Sequence, residues 1–348
     1  MAQFTLDGVT YSRFRDIPGA VYTRSGVEYQ QNAAGVWVPF DDDVPPVSAG
    51  VGVDVWQGAT NLALQSQTFS GWPGNASGVT TNAIVAPDGT LTGAKLRSAN
   101  SSVYQSLFYQ PTFAAGGATI TRSIYAKAGE YSWAYLQQYD GTTNRGAYFN
   151  LATGQVGNVE TGVTASITPA SGGWYRLSVT FSAAPGATYE RVQISLVQSN
   201  GGSPVFTGDG ASGFYIWGGQ LEAVSVATPY IPTTNAAATR GNPSMYINAP
   251  GLLVPPFTVQ VWAQLPALDG VARALVQIDD GSNTNRIFLQ RSSGNAASMG
   301  TAGGSGGVPT AFSGKTGARL LKMAARVRST ELALACDGAA PNSASGVT

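Results

Sequence analysis

Residues 174–183 read WYRLSVTFSA, a stretch in which apolar and polar side chains alternate. The apolar positions include Leu177, Val179 and Phe181, and the positions between them are polar. Because successive side chains of a β-strand point to opposite faces of the sheet, this alternation predicts a strand with one face in a core and one polar face.

Similar strand patterns recur at regular spacing along the middle of the chain, separated by Gly-rich or Asn-rich turns and without helical periodicity. They occupy residues 119–128, 132–139, 146–151, 189–198 and 214–221. Short strands in such a series predict a β-sandwich or jelly roll. The 44 glycines and 19 prolines cluster between these runs, as expected for many tight connections. We therefore predict an all-β protein.

The charge composition restricts the class of partner. Charged residues make up 11% of the chain, against roughly 25% in ordinary soluble domains. Nineteen Lys and Arg balance 19 Asp and Glu, whereas nucleic-acid binding requires concentrated positive charge, so we expect no nucleic-acid partner. A surface of hydroxyl and amide groups suits neutral polar partners such as sugars.

Targeting and redox signals are sparse. The first 14 residues lack the apolar stretch of a signal peptide, and no run of 18 apolar residues occurs, so neither secretion nor a membrane partner is predicted. Cys336 is the only cysteine, which excludes an intrachain disulfide. Stability must come from packing or oligomerisation, and assembly in a reducing cytoplasm fits this composition.

The strand signals divide the chain into three predicted parts. Residues 1–50 form a small β-rich block with a linker, 51–240 form the predicted jelly roll, and 241–348 form a second β-sandwich. The block ends in Asp41-Asp42-Asp43 followed by Pro45-Pro46. This run has two interpretations, a solvated semi-rigid linker or a calcium site.

Two predicted strands carry candidate ligand-binding residues. Trp133, Tyr135, Gln137 and Tyr139 fall on one face of the strand 132–139, and Tyr189, Arg191 and Gln193 belong to the polar set of the strand 189–198. We expect this polar set and that of 174–183 to form a wet concave face. Aromatic side chains on such a face could stack on sugar rings, or they could be buried for their large apolar area.

Catalytic patterns are missing from the sequence. The chain contains no histidine, which removes imidazole-based triads and His-bearing zinc sites. Its glutamates stand apart in sequence, with no alternating carboxylate motif of the kind that glucanases carry. The glycines of residues 303–307 have no lysine at P-loop spacing. We expect a protein without enzymatic activity.

Several motifs in the middle of the chain resemble a known family. The segment 208–222, GDGASGFYIWGGQLE, is followed by TPYIPTT at 228–234. Together with GATNLALQSQTF at 58–69, SIYAKAG at 123–129 and GWYR at 173–176, they resemble the carbohydrate-binding-like jelly-roll modules of phage tail and head fibre proteins. The motifs span nearly all of residues 56–240.

The strand pattern after residue 240 resembles a concanavalin-like or laminin-G-like sandwich. It includes FTVQVWA at 257–263, ALVQIDDG at 274–281 and NRIFL at 285–289. The family pattern would continue with further strands beyond 331–338, so we expect a domain truncated at its C-terminus or completed by another subunit.

The resemblance implies a role as well as a fold. It implies a fibre or spike component of a bacteriophage or gene transfer agent, assembled in the bacterial cytoplasm and exposed on the virion. Residues 1–50 would contact other virion proteins, a trimer or pentamer would form, and the β-sandwich modules would bind host surface glycans. No cofactor is required, but related jelly rolls can hold a structural calcium, here at Asp209 and Glu222. The alternatives are a structural decoration protein without glycan binding and a capsule depolymerase.

Overall fold

The structure of the 348-residue chain is a computed structural model. It describes residues 4–6, 8–11, 14–32, 34–48, 52–74, 78–111, 116–139, 144–185, 191–248, 254–265, 273–280, 286–291, 297–302, 310–312, 319–329, 331–337 and 341–345. The chain divides into two compact units, Met1–Asn248 and Ala249–Thr348, which we call unit 1 and unit 2.

Unit 1 is built of antiparallel strands, with one-turn 3-10 helices at Phe14–Asp16 and Ser171–Gly173. Among the described residues, its first eight strands are β1 (Phe4–Leu6), β2 (Val9–Tyr11), β3 (Ala20–Thr23), β4 (Glu28–Gln31), β5 (Trp37–Phe40), β6 (Val47–Ser48), β7 (Gly52–Val53) and β8 (Ala59–Asn61). The next eight are β9 (Val79–Ile84), β10 (Gly93–Arg97), β11 (Ser102–Tyr104), β12 (Ser106–Tyr109), β13 (Thr119–Lys127), β14 (Trp133–Tyr139), β15 (Asn144–Asn150) and β16 (Gln155–Val159). The last seven are β17 (Val163–Ala170), β18 (Trp174–Ser182), β19 (Arg191–Val197), β20 (Val205–Thr207), β21 (Gly213–Glu222), β22 (Ala238–Arg240) and β23 (Ser244–Ile247).

Two large sheets form the sandwich of unit 1. The six-stranded sheet has the order β17-β18-β13-β21-β10-β9, and the five-stranded sheet has the order β12-β19-β14-β15-β16. Strands that neighbour one another in a sheet are often distant in sequence, as in a jelly roll. The all-β fold predicted from the alternating pattern is confirmed.

The two sheets face each other across one apolar core. Leu177, Val179 and Phe181 of β18 are 0–3% exposed and lie in this core, as the alternation predicts. Leu136, Phe149, Ile194 and Leu196 enter it from the five-stranded sheet. Burying such side chains is worth roughly 1.5–3 kcal/mol each, so this cluster is a principal source of stability for unit 1.

The polar sets of β18 and β19 lie on different sheets. Arg176 of β18 belongs to the six-stranded sheet and is 9% exposed, whereas Gln193 of β19 belongs to the five-stranded sheet. Because the sheets pack core face to core face, their outer faces point in opposite directions. The prediction of one shared wet face is therefore wrong.

Strand β21 contains a β-bulge, which changes the side of the sheet to which its later side chains point. Trp217 is paired with Tyr125 and Gln220 with Ser123, so β21 has one residue more than β13 between these pairs. Gly218 lies in the bulge with φ +63°, a conformation that glycine adopts without steric cost. The extra residue allows Trp217 to point outward and Leu221 to point into the core.

An aromatic cluster covers the outer face of the six-stranded sheet. Tyr125, Trp217 and Tyr230 are 0% exposed, and their rings lie 4.7–6.3 Å apart. Tyr29 of β4 lies 5.5 Å from Tyr230, and Trp37 of β5 lies 5.6 Å from Tyr125. The N-terminal block therefore contributes to a second core of unit 1.

Backbone pairing also joins the two ends of unit 1. Strand β23 is antiparallel to β3, with Tyr246 opposite Val21. The compact unit that contains the predicted jelly roll thus begins at Met1 and ends at Asn248. The sequence boundaries at residues 50 and 240 do not coincide with these limits, because the N-terminal strands pair and pack with residues that are far away in sequence.

The acidic run at residues 41–43 is hydrogen-bonded to the connection between β3 and β4. Asp42 Oδ1 accepts the Gly26 N–H at 2.8 Å, and Asp43 Oδ1 accepts the Arg24 N–H at 2.9 Å. The Arg24 guanidinium donates to the carbonyls of Phe40 and Asp41 at 3.1 and 3.0 Å. These bonds fix the run against the N-terminal block.

Unit 2 is a second antiparallel sandwich. Its strands are β24 (Phe257–Leu265), β25 (Arg273–Asp279), β26 (Arg286–Arg291), β27 (Ala297–Ala302), β28 (Thr310–Phe312), β29 (Arg319–Val327), β30 (Glu331–Cys336) and β31 (Asn342–Ser345). They form the sheets β24-β29-β30-β31 and β25-β26-β27-β28. Leu289 and Met299 of one sheet pack with Met323, Leu334 and Cys336 of the other. The glycines of residues 303–307 lie outside the described residues.

Candidate functional site

The outer face of the five-stranded sheet collects the predicted binding residues. Trp133, Tyr135, Gln137 and Tyr139 alternate along β14 with the core residues Ala134 and Leu136. The other side chains on this face, which we call the candidate face, include Ser106 and Phe108 of β12, Asn144, Tyr148 and Asn150 of β15, and Arg191, Gln193, Ser195 and Val197 of β19.

Cross-strand register brings the two predicted sets together. Tyr139 lies opposite Arg191, and Gln137 lies opposite Gln193. Side chains at such paired positions have Cβ atoms about 4.5–5.5 Å apart and contact one another. Six of the seven predicted residues therefore share the candidate face, while Tyr189 lies outside the described residues.

A stacked tyrosine pair occupies one part of the face. The rings of Tyr135 and Tyr148 are 4.3 Å apart with an interplanar angle of 9°. The Tyr135 hydroxyl donates to Glu160 Oε1 at 2.9 Å, and Glu160 Oε2 accepts the Gly146 N–H at 2.7 Å. Burial, assisted by the adjacent Glu160 carboxylate, raises the pKa of Tyr135, so this phenol remains protonated as a donor.

Gly146 is needed where β14 and β15 approach each other. A Cβ built on it would lie 2.3 Å from the carbonyl oxygen of Leu136 and 2.8 Å from Cβ of Gln137. These contacts are with the backbone and the base of a side chain, which cannot move aside cheaply. Gly146 therefore allows β15 to pair closely with β14, the strand that carries Tyr135, while its own N–H donates to Glu160.

The centre of the candidate face is an amide and hydroxyl cluster. Gln137 Nε2 donates to the Tyr104 hydroxyl at 2.5 Å. Burial raises the pKa of Tyr104, while its hydrogen bond from Gln137 opposes the shift. Gln137 Oε1 and Ser106 Oγ are buried and have no hydrogen-bond partner among the described residues. Each of these two oxygens can therefore form a further hydrogen bond. Such a bond would recover the free energy that an unpaired buried polar atom costs.

Arg191 is held between two rings at the edge of this cluster. Its guanidinium carbon lies 4.4 Å from the Phe108 ring centroid and 5.5 Å from the Tyr139 ring centroid. Arg191 Nη2 also donates to Gln110 Oε1 at 3.3 Å. The cation–π contacts orient the guanidinium plane while leaving Arg191 partly exposed.

Exposure separates the predicted residues into two groups. Tyr135, Gln137 and Gln193 are 4%, 1% and 4% exposed, so they mainly support the face from within. Trp133, Tyr139 and Arg191 are half-buried and keep surface that a ligand can contact. The sequence left ligand contact and burial open as alternatives for these side chains, and exposure now shows which of them a ligand could reach.

Four further residues of this region were missed by the sequence analysis. They are Tyr104, Phe108, Tyr148 and Glu160. Tyr148 could have been found, because it alternates with Ala147 and Phe149 in the predicted strand 146–151. The other three come from segments for which no strand was predicted.

The two predicted calcium ligands do not form one site. Asp209 precedes β21 and Glu222 ends it, and the ten residues of the strand separate its ends by about 30 Å. The Ser212 hydroxyl, and then the N–H groups of Ala211 and Ser212 at 2.9 and 2.7 Å, donate to Asp209 and lower its pKa. Glu222 is 0% exposed and accepts the Thr228 N–H at 3.2 Å.

No metal-binding group was found in the described part of the chain. Among the described residues, no three His, Cys, Asp or Glu side chains lie close enough together to hold an ion. Calcium binding remains a prediction that these contacts do not test. Within the same residues, no helix is long and apolar enough to cross a membrane.

Comparisons with known proteins identify no family. No protein-family model matches the chain, and no curated protein matches it. The functional conclusion therefore depends on the geometry of the candidate face and on the resemblance of its sequence motifs.

Proposed function

We propose that this chain is a non-enzymatic component of a virion fibre or spike that contacts host surface polysaccharide through the candidate face. One observation carries the glycan-binding part of the proposal. Trp133, Tyr139 and Arg191 share one face of a rigid sheet and remain partly exposed above a buried polar cluster.

The chemistry of these groups suits a sugar chain. An aromatic ring offers a flat apolar surface for a pyranose ring, and a guanidinium offers several fixed hydrogen-bond donors. Phe108 and Tyr139 orient the guanidinium of Arg191, so less conformational entropy is lost when it binds. The buried Tyr135 and Gln137 hold the strand that presents Trp133 and Tyr139.

The absence of catalysis is part of the proposal. Glycoside hydrolysis requires two carboxyl groups about 5–9.5 Å apart across the bond that breaks. Glu160, a carboxylate in contact with this face, accepts hydrogen bonds from the Tyr135 hydroxyl and the Gly146 N–H. The sequence also supplies no histidine as a general base.

The virion assignment follows the sequence resemblance. In this proposal the N-terminal block contacts other virion proteins, and a symmetric trimer or pentamer presents several copies of the face outward on the particle. Multiple copies raise the effective concentration of weak sites, so modest affinity per face is sufficient for adsorption.

A structural decoration role is the second candidate, and one observation favours it. Tyr135, Gln137 and Gln193 are almost completely buried, so three of the six predicted binding residues that the structure describes can stabilise the sheet without ligand. In this alternative the chain would stabilise the particle and bind no sugar.

A binding assay with the full chain separates the two candidates. Host polysaccharide and whole host cells are titrated with the wild-type protein and with a Trp133→Ala/Tyr139→Ala variant. Tyr246→Ala serves as the matched control, because Tyr246 is a 53% exposed aromatic residue on β23, outside the candidate face.

We expect saturable binding that the double variant loses and the control keeps, with assembly unchanged in both. A folded, correctly assembled protein that binds no host polysaccharide would support the decoration role. Shortening of the polysaccharide during the incubation would indicate a depolymerase and overturn the non-enzymatic part of the proposal.

A further inference from the structure

A lone tryptophan stands on the outer face of one sheet of unit 2. Phe257, Val261 and Ala263 of β24 pack against the core of this unit, so the alternate residues Thr258, Gln260 and Trp262 point outward. Trp262 is 68% exposed, the largest exposed fraction among the exposed large hydrophobic side chains described. Single exposed apolar side chains are common on protein surfaces, so the neighbours of Trp262 decide whether it belongs to a binding site.

Lys322 is positioned by the ring. It lies directly opposite Trp262 on β29, and its Nζ is 4.8 Å from the Trp262 ring centroid. Its backbone N–H donates to Asp337 Oδ1 at 3.0 Å, which anchors the neighbouring turn. The ammonium group of Lys322 therefore lies over part of the indole, and the rest of this 68% exposed side chain remains accessible to solvent.

The surroundings of this pair are polar or small. Gln260 is exposed and lies opposite the half-buried Ala324. Arg326 is on the same face, with its guanidinium 2.9 Å from Glu331. A protein interface typically buries about 800 Å² on each partner and has an apolar centre. One ring among Gln, Lys and Arg does not provide such a centre, whereas it is sufficient for a single sugar ring.

The charge of the whole unit adds a preference for anions. Unit 2 carries eight Lys and Arg against five Asp and Glu, a net charge of +3, whereas unit 1 carries 11 against 14, a net charge of −3. The zero net charge of the chain thus conceals two units of opposite sign. A positive unit attracts acidic ligands over distances of about one Debye length, roughly 8–10 Å.

We propose that Trp262 and Lys322 form a second saccharide site, specific for carboxylate-bearing sugar chains. A pyranose ring stacks on the free surface of the indole, and Lys322 pairs with the sugar carboxylate. Gln260 supplies hydrogen bonds to the adjacent hydroxyls. The proposal does not depend on the candidate face of unit 1.

Calorimetric titration of the full chain tests this site. The probes are oligogalacturonate and hyaluronan oligosaccharides, with carboxyl-reduced oligogalacturonate as the neutral counterpart. We expect Trp262→Ala to weaken binding of the acidic oligosaccharides by about tenfold or more, as loss of one stacking residue does. Lys322→Gln should remove the preference for the acidic over the reduced chain, and added salt should weaken wild-type binding.

Control variants distinguish this site from the candidate face. Trp133→Ala/Tyr139→Ala should bind oligogalacturonate like the wild type, so failure of the glycan-binding proposal for unit 1 would leave this result unchanged. The proposal is overturned if neither acidic probe binds, or if Trp262→Ala binds them as well as the wild type.

Two further experiments test whether the surface binds something other than a saccharide, namely a second copy of the chain or single-stranded nucleic acid. Sedimentation analysis in which Trp262→Ala dissociates an oligomer, without any saccharide effect, would assign the surface to a second copy of the chain. Binding of oligothymidylate at least as tight as that of oligogalacturonate would assign it to single-stranded nucleic acid, which also stacks on aromatic residues beside cations. Either result would overturn the saccharide assignment.

Discussion

Glu28 and Arg240 form an ion pair inside unit 1 although they are 212 residues apart in sequence. Glu28 Oε2 lies 2.9 Å from Arg240 Nη1, and the two side chains are 1% and 0% exposed. Arg240 Nη2 also donates to the carbonyl of Gln57 at 2.6 Å. The N-terminal block is thereby joined to the end of the sandwich by a contact from which water is excluded.

Removing one partner of this pair should destabilise unit 1 strongly. We expect Glu28→Gln to lower the free energy of unfolding by about 3–5 kcal/mol, because the Arg240 charge would remain buried without its counterion. Urea denaturation followed by tryptophan fluorescence measures this loss. The double variant Glu28→Gln/Arg240→Met should be less destabilised than Glu28→Gln alone. A loss below about 1 kcal/mol in the single variant would contradict a desolvated pair.

The free energy of unfolding should depend on pH through the ionisation of Glu222. Burial raises the pKa of this carboxyl, and its hydrogen bonds from Thr228 and the charge of Arg176 only partly oppose the shift. A carboxyl whose pKa is higher in the folded than in the unfolded state favours folding while protonated. That contribution is lost as the pH rises from the unfolded pKa, near 4.5, through the folded pKa.

Comparison with Glu222→Gln isolates this effect, because the amide cannot ionise. Between pH 4 and 8 the unfolding free energy of the wild type should fall relative to that of the variant, with a slope of at most about 1.4 kcal/mol per pH unit. Urea denaturation at several pH values gives both curves. A constant difference, or one that grows in favour of the wild type, would show that Glu222 folds in its ionised form.

The strands and their core-facing sides could be predicted from the sequence where a single segment contains the complete alternation of apolar and polar residues. In β18 the alternation of Leu177, Val179 and Phe181 with polar residues identified the core side, and in β14 it placed Trp133 and Tyr139 on one face. A period of two is a local property of the chain, so it can be recognised without knowledge of neighbouring strands.

The burial of individual face residues was not predictable in this way. Gln137 is enclosed because Tyr104 reaches it from 33 residues earlier, and Tyr135 because Tyr148 stacks on it. Likewise, the packing of Trp37 against Tyr125 depends on pairings between distant strands. Such contacts are set by sheet order and register, which no short stretch of sequence specifies.

The bulge in β21 provides a test of backbone conformation. Gly218 has φ +63°, and a Cβ built on it would lie 3.0 Å from Cδ2 of the buried Tyr125. Gly218→Ala should therefore combine a left-handed penalty of about 1–2 kcal/mol with a steric clash. Gly71→Ala is the matched control, because Gly71 has φ +75° with nothing within 4 Å of the added Cβ.

Thermal and urea denaturation of both variants should separate the two costs. We expect Gly71→Ala to show only the conformational penalty and Gly218→Ala to lose at least about 1 kcal/mol more, as overpacking in a core does. Equal losses would mean that Tyr125 moves aside without cost, and that the bulge is not fixed by the aromatic cluster.

The geometry of Arg191 leads to a prediction about how the candidate face binds its ligand. The guanidinium carbon of Arg191 lies over the rings of Phe108 and Tyr139, at 4.4 and 5.5 Å from their centroids, and a lysine ammonium lacks the planar set of donors that this contact positions. If Arg191 acts through its oriented donors, Arg191→Lys should weaken polysaccharide binding nearly as much as Arg191→Gln, by about five- to tenfold. Calorimetric titration of each variant with host polysaccharide measures this loss of affinity. Full affinity in Arg191→Lys with loss in Arg191→Gln would mean that only the positive charge matters, and that the two rings stabilise the sheet without shaping the site.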